Sequence, residues 1–389
     1  MLTLNNTSKE SGDNPAQLRN SYAETELLFS KGSDYFNNLL LGIENAKTSI
    51  ELESYIFKYD SVGRRFVDAL VAATGRGVAV RVLIDGIGSA KDGKLITSLL
   101  SSQGIVSRIY HPLPWQINHY RWAIKQGSLI GRLVFFAKAI NQRDHRKLCI
   151  VDNNTLWTGS LNICRQHLSV ADGGEGWRDF GIRISDKRVV EAKLTFETIW
   201  QAKKRLLAKN KLRLIFSNLS PFTRRRKYRF ITRKMEHAQH RIWITNAYFA
   251  PSSTFINSIK KACRRGVEVR LLVPSRSDVF LFRSLTASYY RELIVAGVSI
   301  SEFPTIFLHA KALIIDDFYL LGSTNFNHRS FLHDLELDVT LSSKKSQTTL
   351  EKQFIIDCNK ATKVTAERLE NQGWAAYIAW LPRLLRYWL

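Results

Sequence analysis

Acidic residues are in short supply in this chain. It has 34 Asp and Glu against 57 Lys and Arg, a formal net charge of +23 and a pI near 10. That imbalance points to a polyanion or an anionic surface as partner and leaves nucleic acid and acidic lipid both open. Cysteine is scarce too. The four, Cys149, Cys164, Cys263 and Cys358, form no C-x-x-C pair and no zinc spacing, which sets aside a disulfide scaffold and suits a reducing compartment. Cys149 falls in an apolar run and reads as a small buried hydrophobe. No stretch of about 18 uninterrupted apolar residues occurs, so no transmembrane helix is expected. Residues 1–24 lack the basic start and apolar segment of a secretory signal and read as a loose polar tail. No Cys, His, Asp and Glu cluster has metal-ligand spacing, so neither metal nor cofactor is expected.

What the chain does have is one short motif, twice. Residues 145–152 read HRKLCIVD and residues 309–316 read HAKALIID, both of the form His-x-Lys-x4-Asp. Each is followed at a closely similar distance by Gly-Ser-x-Asn: Gly159, Ser160 and Asn162, then Gly322, Ser323 and Asn325. Two imidazoles, two ammonium groups and two sets of small hydrogen-bonding side chains suit a reaction on a phosphate diester. The phosphorus of such a diester is shielded by negative oxygens and its leaving group is a poor alkoxide. The site must therefore neutralise charge, supply a nucleophile and donate a proton.

The repeat is wider than the motif. IELESYIF (50–57) and RGVAVRVLID (76–85) precede the first copy, and IWITNAYF (242–249) and RGVEVRLLVP (265–274) precede the second, each pair separated by a segment of helical periodicity. These are β-α-β units of an α/β fold. Within the motif the alternation places His and Lys on one face of a strand, with Gly-Ser-x-Asn in the turn after the next strand.

On these residues the chain resembles the phospholipase D superfamily, and in the order of its elements the short B-type bacterial cardiolipin synthases, over roughly residues 25–345. The resemblance implies a duplicated fold, two α/β sandwich halves related by a pseudo-twofold axis with a shared active site. The expected division is a tail (1–24), a first half (25–212), a second half (213–365) and an amphipathic aromatic end (366–389). It also implies an enzyme, a phosphatidyltransferase or phosphodiesterase that works through a phosphohistidine. His145 is assigned to attack and His309 to acid/base work, with Lys147, Lys311, Asn162, Asn325, Ser160 and Ser323 on the phosphate oxygens. By the same resemblance Glu336 orients His145 and Asp179 orients His309. Asp152 and Asp316 complete the six-residue catalytic motif set, yet they lie five residues beyond Lys, and bracing the strand or turn is the role expected of them. Asn327 stands where the family commonly has Asp, and Asp334 where Asn is often seen, while Arg329 and Ser330 match.

A comparison of the halves exposes a surplus. Arg76 and His145 lie 69 residues apart and Arg265 and His309 only 44, so the first half carries about 25 extra residues, at 111–144. There Trp115, Tyr120, Trp122, Phe135 and Phe136 interleave with Arg121, Lys125, Arg132, Lys138 and Arg143, and Asp144 is the lone acid. Such a segment is expected in a lipid headgroup region. The end, 374–389, carries Trp374, Tyr377, Trp380, Tyr387 and Trp388 with Arg383 and Arg386, the composition of an interface belt split by Pro382. The basic run Lys203, Lys204, Arg205 and Arg224 to Lys227 reads as a linker that attracts anionic surfaces.

The favoured function is cardiolipin synthase-like transfer of a phosphatidyl group to the glycerol hydroxyl of phosphatidylglycerol. The expected place is peripheral, on the cytosolic face of the bacterial inner membrane, with anionic phospholipid as partner and any protein partner left open. Hydrolysis by a phospholipase D, or a nuclease of the same superfamily holding nucleic acid by charge, are the alternatives.

Overall fold

A computed structural model describes residues 25–113, 115, 128–139, 142–201, 214–279, 282–304 and 306–370. The tail 1–24, the end 371–389, Tyr120, Arg121, Trp122, Lys125 and the Lys203 to Arg205 run lie outside the described residues.

Two sheets carry the fold. The first holds β1 (Glu26–Phe29), β2 (Ser49–Ser54), β3 (Ala79–Asp85), β4 (Val106–Tyr110), β5 (Leu148–Val151), β6 (Thr155–Gly159) and β7 (Gly181–Ile184) in the order β1-β7-β6-β5-β2-β3-β4. The second holds β8 (Ile215–Ser217), β9 (Arg241–Asn246), β10 (Glu268–Pro274), β11 (Ser299–Phe303), β12 (Lys311–Ile315), β13 (Phe318–Gly322), β14 (Leu337–Thr340) and β15 (Thr362–Val364). Its order is β15-β11-β10-β9-β12-β13-β14-β8. Without β15 the two orders superimpose strand for strand, as a duplication requires.

The β-α-β units are as the sequence suggests. β2 and β3 run parallel and are joined by the helix Ser61–Gly75, and β9 and β10 run parallel and are joined by the helix Ser253–Arg264. Asp60 and Ser252 cap these helices by accepting backbone N–H groups of their first turns. One apolar core packs each sheet against outer helices, through Phe36, Phe66 and Ile84 in one half and Phe255, Ile259 and Val273 in the other. A third core joins the halves, with Ile150, Ile182 and Phe196 of the first packed with Trp243, Ile314 and Leu337 of the second.

The joining strands are crossed. Asp144 bridges Leu335 and Arg178 bridges Leu308, both parallel. His145 N–H donates to the Leu335 carbonyl at 2.9 Å and His309 N–H to the Arg178 carbonyl at 2.9 Å. Each histidine is therefore anchored by backbone to the opposite half. β5 begins only after Lys147, so in the first half His and Lys lie on the extended lead into the strand rather than in it.

One expectation is corrected here, and the aspartates of the motif set take the bracing role expected of them. Arg224 to Lys227 are no linker, because they lie in the helix Pro221–His237, whose start is closed by a capping box on Ser220 and Thr223. Arg224 and Lys227 point inward: Lys227 ion-pairs with buried Asp338 and donates to Thr324 Oγ1 at 2.5 Å, and Arg224 donates to the Leu332 carbonyl at 3.1 Å. Asp152 and Asp316 are not in the site. Both sit in hairpin turns, with φ of 51° and 50°. Asp152 accepts the N–H groups of Lys47, Thr48 and Ser49, and Asp316 those of Gln239, His240 and Arg241. Each ties the β5–β6 or β12–β13 turn to the start of the neighbouring β2 or β9. The first turn is one residue longer, with Asn153 also at positive φ, which is why the two motifs are spaced slightly differently.

A partly exposed carboxylate bound by three backbone donors contributes about 1–2 kcal/mol after solvent screening. Asp152→Ala is expected to lose that much in chemical denaturation while turnover per folded molecule is kept.

Candidate functional site

The crossed strands assemble the site. Leu335 precedes Glu336 and Arg178 precedes Asp179, so anchoring His145 beside Leu335 and His309 beside Arg178 delivers one carboxylate to each ring. His145 Nδ1 lies 3.0 Å from Glu336 Oε2, and His309 Nδ1 lies 2.7 Å from Asp179 Oδ2. All four side chains are buried. Tying Nδ1 to a carboxylate puts the neutral ring's proton there and leaves Nε2 with its lone pair.

The lysines and asparagines come in matched pairs. Lys147 Nζ donates to the His145 carbonyl at 2.6 Å and Lys311 Nζ to the His309 carbonyl. Asn162 Oδ1 accepts from Ile56 N–H at 3.4 Å, and Asn325 Oδ1 is buried with no partner among the described residues. Gly159 and Gly322 have no room for a Cβ: it would meet the Phe180 carbonyl at 2.4 Å or the Leu337 carbonyl at 2.3 Å, where β7 and β14 press on the loops.

Ser160 and Ser323 depart from expectation. Neither hydroxyl proton is free for a phosphate, because Ser160 donates to Asp179 Oδ1 and Ser323 to Glu336 Oε2. A hydroxyl has one proton, and here it steadies the carboxylate that steadies the histidine. The residues noted as departures do similar work. Asn327 caps the helix His328–Leu332 by accepting Ser330 N–H, which sets Ser330 Oγ to donate to Glu336 Oε1 at 2.6 Å. Asp334 accepts Arg143 N–H at 3.1 Å and Arg329 Nε at 3.1 Å beside His145.

Four site groups escape the motif. Tyr55 follows β2 and Tyr248 follows β9. Their rings lie 4.7 Å from His145 and 6.3 Å from His309, with Lys147 Nζ 5.0 Å over one and Lys311 Nζ 5.8 Å over the other. Each tyrosine comes just after the first strand of its repeat, a signal that was there to be read. Trp177 lies 5.7 Å from His309. His167 lies 5.4 Å from His309, and with Asp179 these two histidines bring ligand-type atoms within 4.8 Å of one another, a grouping no sequence spacing displays.

Burial sets the electrostatics. Both catalytic-motif histidines are driven well below the usual imidazole range, first by desolvation and then by the nearby lysines. Desolvation also brings Lys147 down to about 8 and Lys311 to about 7, and raises Glu336 to about 7 and Asp179 above its ordinary value. A site with so many weakened cations favours an anion.

The family described as cardiolipin synthase, PLD-like domain, matches residues 39–200 and 231–357. The chain is 27% identical over 369 residues to a cardiolipin synthase of Halalkalibacterium halodurans, covering 91% of this chain and 70% of that protein. It is 28% identical over 374 residues to one of Geobacillus kaustophilus, covering 92% and 71%. In structure it is similar to phosphatidylserine synthase of Haemophilus influenzae, with a TM-score of 0.68 at 14% identity over 94% of this chain and 96% of that one.

An anion that enters the site strengthens proton binding by both lysines and both imidazoles, so binding must take protons up. Calorimetry with a water-soluble dialkyl phosphate, which does not itself titrate near neutrality, is expected to show net proton uptake in buffers of different ionisation enthalpy. Its affinity falls as pH rises through about 7 and 8, where Lys311 and Lys147 lose charge.

Proposed function

The chain belongs to the family of cardiolipin synthases with a phospholipase D-like domain, and we propose that it moves a phosphatidyl group from one phospholipid to the glycerol hydroxyl of phosphatidylglycerol. It is an enzyme, a phosphatidyltransferase of the phospholipase D superfamily, and its substrates are phospholipids. The observation that carries the reading is the pair of His–carboxylate dyads, each completed by the opposite half and flanked by a buried lysine.

His145 Nε2 attacks phosphorus and the bond to the departing headgroup oxygen breaks. His309, protonated when the anionic diester is bound, gives its proton to that oxygen, and the alcohol leaves. His309 then takes the proton of the incoming glycerol hydroxyl, whose oxygen attacks phosphorus. The P–N bond breaks and His145 is released neutral. Lys147, Lys311, Asn162 and Asn325 hold the phosphoryl oxygens as charge builds. Glu336 and Asp179 keep the two rings in orientation throughout.

The surplus segment supports a peripheral membrane site. The helix Leu129–Ala139 leaves Leu129, Ile130, Leu133 and Val134 exposed, Ile130 by 75%, and Trp115 of the same segment is 71% exposed. Phe135 packs on His111, and Arg143, just past this helix, donates to Tyr55 Oη at 2.7 Å beside the site. Burying four such aliphatics in acyl chains supplies roughly 1 kcal/mol each, enough for reversible docking with help from the +23 charge. Among the described residues no helix is long and apolar enough to cross a membrane. The membrane surface in this reading is the cytosolic face of the bacterial inner membrane.

The decisive assay gives vesicles of labelled phosphatidylglycerol to the purified protein and resolves the products. Cardiolipin and glycerol are expected, with a loss of at least about 1,000-fold in His145→Ala and in His309→Ala. Phosphatidic acid as the main product would make the protein a hydrolase, and no lipid turnover beside cleavage of nucleic acid would make it a nuclease. In a flotation assay, Ile130→Glu with Leu133→Glu is expected to weaken vesicle binding about tenfold or more while hydrolysis or transfer of a soluble short-chain substrate is retained.

A further inference from the structure

The two halves match in sheet order, motif and dyad, and one position breaks the match inside the site. Eight residues after Gly322 stands Ser330, and eight after Gly159 stands His167. Both are buried, and both reach the carboxylate that orients a motif histidine. Ser330 Oγ donates to Glu336 at 2.6 Å. His167 Nδ1 lies 3.3 Å from Asp179 Oδ2, the same oxygen that takes His309 Nδ1 at 2.7 Å.

The tautomer of His167 follows from its other nitrogen. Nε2 accepts the backbone N–H of Asn162 at 3.1 Å, so the proton of the neutral ring is on Nδ1 and faces Asp179. Burial keeps the ring neutral by lowering it to about 3. The charged and titratable groups facing it are Asp179, His309, Lys311 and Lys147. Its ring is wedged between Phe36 at 6.4 Å, Trp177 at 5.4 Å and His309 at 5.4 Å. One side chain thus ties the Gly-Ser-x-Asn loop to the carboxylate and to the ring that this carboxylate orients.

The pairs differ in a complementary way. In the second half a long carboxylate, Glu336, meets a short donor, Ser330. In the first a short carboxylate, Asp179, meets a long imidazole, His167, in a 3.3 Å contact that stops short of a hydrogen bond. A methylene lost from the acid is made up by the reach of the imidazole, so total span is kept while its parts are exchanged.

We infer that His167 is a positioning residue for His309, acting through Asp179: its ring, pinned by the Asn162 N–H and packed on His309, sets Nδ1 3.3 Å from the shorter carboxylate and thereby keeps His309 with Nδ1 protonated and Nε2 turned to the phosphate. It touches no substrate atom. Asp179 accepts the Ser160 hydroxyl, the Phe180 N–H and the His309 Nδ1–H, and His167 Nδ1 faces the same oxygen as His309 without closing a hydrogen bond, so removing the ring opens space into which the carboxylate turns away from His309. A misplacement of about 1 Å at an acid/base group costs up to about 100-fold in rate.

The inference rests on the phosphatidyl-transfer reading for its kinetic arm, and a second arm stands without it. Full-length His167→Ser and His167→Ala are expected to lose about 10- to 100-fold in kcat on phosphatidylglycerol vesicles, with KM within about twofold. His167→Ser combined with Asp179→Glu, which copies the second half, is expected to restore most of that loss. In ring-15N-labelled protein, with the His309 signals assigned from His309→Ala, the wild type is expected to show the Nδ1–H tautomer and His167→Ser a mixture. Unchanged kcat and tautomer in the folded single variants would overturn the inference. So would a loss that the Asp179→Glu partner fails to rescue while the tautomer stays as in wild type, since that describes a packing role alone. If the wild type turns over no lipid, the transfer reading fails and the 15N tautomer decides the role of His167 unaided.

Discussion

The structure depends on a crossed pair of backbone contacts. Asp144 and His145 lie against Leu335, and Leu308 and His309 lie against Arg178, so each motif is stitched to the other half next to the carboxylate it needs. Backbone hydrogen bonds of this kind allow only one register. A shift by a single residue would turn Glu336 and Asp179 to the opposite face and leave two buried carboxylates and two buried imidazoles without partners, a penalty of several kcal/mol. The shared apolar core behind the strands, with Ile150 and Phe196 against Ile314 and Leu337, supplies the cohesion that keeps this register closed. The site is therefore a property of the interface between halves and of neither half alone.

Enclosure has an electrostatic consequence. Two histidines, two lysines and two carboxylates are all removed from water, and each responds by moving toward its neutral form. Pairing of Nδ1 with a carboxylate and of each Nζ with a histidine carbonyl recovers part of that cost. The remainder is recovered when a negatively charged diester enters and restores charge to the cations. Weak cations in an empty site become strong ones around the anion, which is a form of preorganisation: the dipoles are already in place and only protons move.

Much of this was legible beforehand. The duplication, both β-α-β units and the pairing of Glu336 with His145 and of Asp179 with His309 are all as the sequence and its resemblance imply. Other points were not. Ser160 and Ser323 were assigned to phosphate, since a hydroxyl beside a motif offers a donor, and nothing in the string shows that a carboxylate claims the proton first. Arg224 to Lys227 read as a solvated linker because charge runs usually are. The buried Asp338 that draws Lys227 inward lies more than a hundred residues away. His167 carries no signal in the string, because its counterpart Ser330 is a different residue type and only the fold brings Ser330 onto Glu336.

By itself the sequence determined what is periodic and local: alternating strands, helical segments between them and a motif written twice. These depend on neighbours along the chain, whose geometry is set by backbone sterics and hydrogen bonding over a few residues. Tertiary structure alone decided which groups share a space. Proton ownership on Ser160, the tautomer of His167, the depressed basicity of Lys147 and Lys311 and the inward turn of Lys227 all arise from contacts between residues distant in sequence and from loss of water around them. Coulomb and desolvation energies depend on distance and burial in three dimensions, and neither quantity is written in the order of residues.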